Sequence, residues 1–121
     1  MISHERLAVW HRAHRLSVAL LAERALDASP AAIGIGSQLR RATVSVAANI
    51  AEGAGSPTHA AFARYLGIAI ASAHEVDALV RIARDARLVP AAEADAWLRE
   101  AYELRAMLFA LRRRVLHDPR R

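Results

Sequence analysis

The sequence predicts an all-α protein: one domain folded as an up-down-up-down antiparallel four-helix bundle. Three observations predict it. Of 121 residues, 29 are Ala and 14 Leu against 5 Gly and 4 Pro, a composition that loses little on entering helix. Apolar residues recur at spacings of three and four in four long segments, the period of a helical face. Clusters of Gly, Ser, Asp and Pro separate those segments. The length suits one hydrophobic core over residues 1–121 and is too small for two.

Between about Glu5 and Leu26, the residues Leu7, Trp10, His14, Val18, Leu21 and Ala25 share one face, giving the first helix. Asp27-Ala28-Ser29-Pro30 reads as a turn. Ser29 suits an N-cap, and Pro30 suits the first helical position, where an N–H has no intrahelical partner to lose. The second helix is expected from Pro30 to about Glu52, weakened in its first turns by Gly34 and Gly36. Gly53-Ala54-Gly55-Ser56-Pro57 should end it as a glycine C-cap followed by proline. A third helix runs from Thr58 to about Leu88, with Phe62, Leu66, Ala69, Ala73, Val76 and Val80 inward, until Val89-Pro90 breaks it. The fourth spans Ala91 to Leu116 along Trp97, Ala101, Leu104, Leu108, Leu111 and Val115, and Asp118 to Arg121 reads as a frayed tail. Such rods, roughly 33 to 45 Å long and joined by short turns, pack most simply up-down-up-down.

The chain has no Cys, which excludes disulfides, thiolate metal sites and cysteine nucleophiles and suits a reducing compartment. The first residues lack a signal-peptide core, and the longest uncharged apolar run, Tyr65 to Ala73, is far short of a membrane span. A cytoplasmic protein with no membrane partner is expected. No phosphate-binding glycine loop and no nucleophile-elbow serine occurs. Neither catalysis nor a cofactor is therefore expected. His4, His11 and His14 fall at turn spacings on the first helix, but there is no Glu-x-x-His to complete a bundle di-metal centre. No metal site is expected, and His14 reads as a hydrogen-bonded core residue.

Two groups of polar residues stand out. Gln38, Arg41, Ser45, Asn49 and Glu52 are spaced by three and four and form one stripe on the apolar second helix. They either form a structural network, with Glu75 a natural partner for Arg41, or meet a ligand. Arg112, Arg113, Arg114, Arg120 and Arg121, with Arg105 upstream and His117 among them, concentrate positive charge at the C-terminus. They form either a phosphate-binding patch or a solvated, dipole-favourable helix end. All 17 basic residues are Arg and the formal charge is +5, which favours RNA or DNA as partner. With Trp10 and Trp97 expected in the core, no aromatic stacking platform is expected, and duplex or structured RNA is the expected ligand. Val44, Ala47, Ala48 and Ala51 on the second helix, and Gly67, Ala71 and Ala78 on the third, extend the apolar surface beyond what one bundle buries. Ala48 and Ala71 are expected in a contact between subunits; the alternative is that exposed Ala is simply a good helix former.

The run Gln38-Leu39-Arg40-Arg41-Ala42-Thr43-Val44-Ser45-Val46-Ala47-Ala48-Asn49-Ile50-Ala51-Glu52-Gly53 resembles the signature of a four-helix-bundle family. That family is named after proteins encoded in intervening sequences of bacterial 23S ribosomal RNA genes. Leu7-Ala8-Val9-Trp10 with Ala13-His14, and Phe62-Ala63-Arg64-Tyr65-Leu66 through Ala69, Ser72 and Glu75, resemble its first and third helices. Ala71, where the family usually has Gly, and Gly36 depart from the pattern. The resemblance implies an antiparallel bundle assembled into a ring, commonly a homopentamer. It also implies kinship with the accessory variability determinant of diversity-generating retroelements, a basic pentamer that binds nucleic acid and a protein partner. The family has no settled activity. The expected function is a non-enzymatic oligomeric nucleic-acid-binding or ribonucleoprotein adaptor, with a protein-interaction scaffold as the alternative.

Overall fold

The computed structural model describes residues 2–118. Four helices pack around one core: α1 (Ala8–Leu21), α2 (Pro30–Ala54), α3 (His59–Asp85) and α4 (Ala91–Leu116). There is no strand among the described residues. α1 packs on α2 and α4, and α3 packs on α2 and α4, so each helix has two neighbours. The core is mainly aliphatic, with Phe62 and Trp97 at its edge; Leu20, Leu26, Leu39, Ile50, Leu66 and Leu104 are essentially sealed from solvent.

The faces expected for α3 and α4 are the buried ones. α1 differs in length and in orientation. Short 3₁₀ turns at His4–Arg6 and Arg24–Asp27 flank it, so the segment from Glu5 to Leu26 is not one helix. Its buried residues are Val9, Ala13, Leu16, Ser17 and Leu20, whereas Val18 and Leu21 are more than half exposed. The inward face is the expected one moved back by one residue, about 100° around the helix, with Leu16 and Leu20 as its large members. His14 is accordingly exposed, not in the core.

The N-cap expected on α2 is present, and Thr58 caps α3 in the same way. Ser29 Oγ accepts from Ala32 N–H and Thr58 Oγ1 from Ala61 N–H, both at 3.1 Å. α3 stops at Asp85 because Arg87 adopts a left-handed conformation, φ 60°. Leu88 N–H then bonds the Ala83 carbonyl and Arg87 N–H the Arg84 carbonyl, which closes the helix in a Schellman motif.

Gly53 is no C-cap. It lies inside α2 with ordinary negative φ, and a Cβ there would stand 2.8 Å from Phe62 Cδ1 and 3.0 Å from Tyr65 Cβ. Its role is close approach of α2 to α3. Gly36 serves the same purpose against the 3₁₀ turn, since a Cβ would meet Leu26 Cβ at 2.9 Å and the Leu26 carbonyl at 3.1 Å. Gly34 faces open space. Gly34→Ala should therefore stabilise by about 0.5 to 1 kcal/mol through helix propensity. Gly36→Ala should destabilise by about 1 to 3 kcal/mol through overpacking. Thermal melts of the two variants should shift in opposite directions; a shared sign would contradict the contact at Gly36.

Candidate nucleic-acid interface

α4 directs Leu104, Leu108, Leu111 and Val115 inward, which leaves its arginines on the flanks and outer side. Positive charge in the last turn also complements the helix dipole. Arg105 Nη1 lies 3.4 Å from Asp77 Oδ1 on α3, an ion pair without a well-aligned hydrogen bond. Arg81 donates to the same carboxylate at 2.8 Å and, ahead of the opposing effect of burial, holds Asp77 below the usual carboxylate range. Arg112 is half-buried: its Nε donates to the Ala63 carbonyl at 3.1 Å, beside Gly67. These two side chains tie α4 to α3. Arg113 and Arg114 are exposed and form no ion pair with a described residue. Arg120 and Arg121 lie outside the described residues, and with them most of the expected tail. Asp118, its first residue, is partly buried with Oδ2 3.7 Å from His59 Nε2.

The sequence reading passed over three residues on the same helix. Tyr102, Phe109 and Leu116 are 66, 49 and 51 % exposed, and the Arg105 guanidinium lies over the Tyr102 ring, 5.8 Å from its centroid. Their signal in the sequence is a seven-residue spacing on the side opposite the core stripe.

The polar stripe of α2 divides. Ser45 and Asn49 are half-buried: Ser45 Oγ and Ser72 Oγ share a hydrogen bond of 2.9 Å across to α3, and Asn49 Nδ2 donates to the Ser45 carbonyl at 2.8 Å. Gln38, Arg41 and Glu52 are exposed. Arg41 donates to Ser37 Oγ at 3.4 Å and makes no ion pair with Glu75. The five residues are thus not one buried network, because the ends of the stripe rotate out of the α2–α3 seam.

Ala48 and Ala71 lie exposed on the outer ridges of α2 and α3, together with Val44 (42 %) and Ile68 (37 %). His11 and His14 on α1 and His4 in the 3₁₀ turn before it surround Trp10, with His14 stacked on it at 4.9 Å. Trp10 is thus only partly buried, unlike Trp97. No group of three or more metal-ligating side chains occurs among the described residues. No helix among them is long and apolar enough to cross a membrane.

The model of the family described as 23S rRNA-intervening sequence protein matches residues 5–110. Among solved structures, a crystal structure of a protein of unknown function from the S23 ribosomal protein family of Bacteroides thetaiotaomicron superposes with a TM-score of 0.81. It shares 18% identity, covering 87% of this chain and 95% of that one. At that identity the likeness is one of fold. No curated protein matches the chain.

Proposed function

The chain belongs to the family of 23S rRNA-intervening sequence proteins, and from that premise we propose that it is a non-enzymatic, oligomeric nucleic-acid-binding or ribonucleoprotein adaptor of the cytoplasm. The observation that carries this reading is the exposed Arg113-Arg114 pair at the end of α4, with no carboxylate partner among the described residues. Charge of this kind binds phosphate without reading bases. Assembly multiplies it: each chain brings a formal charge of +5, and once one subunit touches a strand, the next contacts are intramolecular.

The up-down-up-down arrangement and a ring of five such bundles belong to the same reading. Contact register supports the first part. Along the α2–α3 seam, Ser45 meets Ser72 while Gly53 meets Phe62. Along the α3–α4 seam, Ala63 meets Arg112 while Arg84 meets Asp95. Numbers rise on one helix as they fall on the other.

Binding of an RNA hairpin and a DNA duplex, at two salt concentrations, tests the proposal. Arg112 holds α4 to α3, so the informative variant keeps it and carries Arg113→Ala and Arg114→Ala. Wild type should bind at micromolar concentration or tighter at low salt. Log K should fall against log salt with a slope of about −0.7 to −0.9 per phosphate neutralised, and the variant should bind more weakly with a shallower slope. No wild-type binding at low salt, or binding that the variant retains in full, would defeat the reading. It would favour a protein-interaction scaffold, which the exposed Val44 and Ile68 support independently.

A further inference from the structure

The outer side of α4 carries more than charge. Tyr102, Phe109 and Leu116 recur every seven residues and are exposed to 66, 49 and 51 %. Seven residues advance a helix by about 10.5 Å, so the two rings stand in a row along the helix axis. Arg105 and Arg112 flank that row on the α3 side, where Asp77 and the Ala63 carbonyl hold them. Arg113 falls within it and makes no ion pair among the described residues. The fold does not need these apolar groups, since the inward stripe of α4 is complete without them.

Acidic side chains are engaged elsewhere. Glu100 and Glu103 pair with Arg12 on the α1 side, and Asp95 pairs with Arg84. The row therefore joins aromatic faces to arginines with no free carboxylate beside them among the described residues, a combination complementary to a polyanion bearing flat, unpaired rings. A second copy of the same row would set Arg113 against Arg113 with no acidic residue between them, and like charges disfavour that contact.

We propose that this row binds single-stranded nucleic acid, with bases stacking on Tyr102 and Phe109 and phosphates meeting Arg112 and Arg113. The inference rests on the nucleic-acid reading above and deepens it by naming the strand. In a duplex each base is paired and stacked on its neighbours, so its face is closed to a side chain. In a single strand it is open, and aromatic side chains stack on it with little regard to sequence. A spacing of about 10.5 Å matches roughly three steps of a strand stacked at about 3.4 Å per nucleotide. A duplex, the ligand expected when Trp10 and Trp97 alone were weighed as stacking residues, offers these rings nothing.

The test compares an oligothymidylate, an oligouridylate and a DNA duplex of equal length by fluorescence anisotropy. The proteins are wild type and the double variant Tyr102→Ala, Phe109→Ala, whose exposed positions leave the core intact. Wild type should bind both single strands more tightly than the duplex. The variant should lose at least about 10-fold on the single strands, little on the duplex, and keep the salt slope. Unchanged single-strand binding, or an equal loss on the duplex, would overturn the inference and leave the broader reading standing. No wild-type binding to any of the three would overturn both. A fall in oligomer mass of the variant by light scattering would also overturn it, assigning the row to a contact between chains.

Discussion

Replacing Arg40 by Met should lower stability by about 2 to 3 kcal/mol, while the same change at the neighbouring Arg41 should stay within about 0.5 kcal/mol. The difference lies in what each guanidinium reaches. Arg40 Nε donates to the Leu20 carbonyl at 3.0 Å and Nη2 to the Glu23 carbonyl at 2.9 Å, while Nη1 and Nη2 grip Asp27 at 2.9 and 3.1 Å. Leu20 and Glu23 sit where α1 ends and the chain turns, and the last carbonyls of a helix have no intrahelical donor. Met keeps the aliphatic stem but takes a charged donor from both carbonyls, leaving them only the longer backbone bonds from Glu23 N–H at 3.3 Å and Leu26 N–H at 3.4 Å, which accounts for the loss without counting the exposed Asp27. Arg41 has one contact of 3.4 Å to Ser37 and otherwise faces solvent. Arg40→Lys should fall between, since an ammonium cannot reproduce the fork. A second reading is independent of melting: Arg40 holds the Asp27 carboxyl below its ordinary range, chiefly through their hydrogen bonds, so in Arg40→Met it should titrate at a higher pH by NMR. Equal melts for the two Met variants would show that Arg40 does not hold the end of α1.

This pair also marks how far the sequence could be read. α3 and α4 were legible because each has an unbroken inward stripe of mixed size, bounded by Thr58 at one start and Pro90 at the other. α1 was not, because two stripes one residue apart both carry large apolar side chains: Trp10, Val18 and Leu21 on the expected one, Val9, Leu16 and Leu20 on the packed one. Gly53 looked like punctuation, and only the positions of Phe62 and Tyr65 reveal a contact that admits no Cβ. Of the candidate site, the C-terminal arginines were legible as charge. Their division into Arg105 and Arg112, which fasten α3, and Arg113 and Arg114, which do not, depends on partners some 30 to 50 residues away in the chain. Arg40 stayed hidden for the same reason: its partners are backbone carbonyls, which every residue possesses, so no residue type announces them.

Ala48→Arg and Ala71→Arg should each reduce the protein from a multimer, five times the 13.2 kDa chain mass in the proposed ring, toward the single chain. The Ser45–Ser72 hydrogen bond sets the register of α2 on α3 and brings Val44 and Ala48 to the level of Ile68 and Ala71. Together they make an exposed surface of small and branched apolar residues on the outer ridges of both helices. Small side chains let a neighbouring helix approach closely, and covering Val44 and Ile68 removes apolar area from water at about 25 cal/mol per Å². A guanidinium placed there would force bulk and a charge to be desolvated between helices, a cost of several kcal/mol per contact that Glu52 or Glu75 one turn on would only partly offset, and a ring would repeat it at every interface. The side chain of either variant points away from the core, so the monomer should keep its helices and melt as a folded chain. Light scattering at micromolar concentration measures the mass directly, and Ala92→Arg, at an exposed site in the first turn of α4, controls for added charge. A wild type that scatters as one chain would end the ring proposal. An assembled wild type whose Ala48→Arg and Ala71→Arg variants keep full mass would move the subunit contact off the α2–α3 ridges.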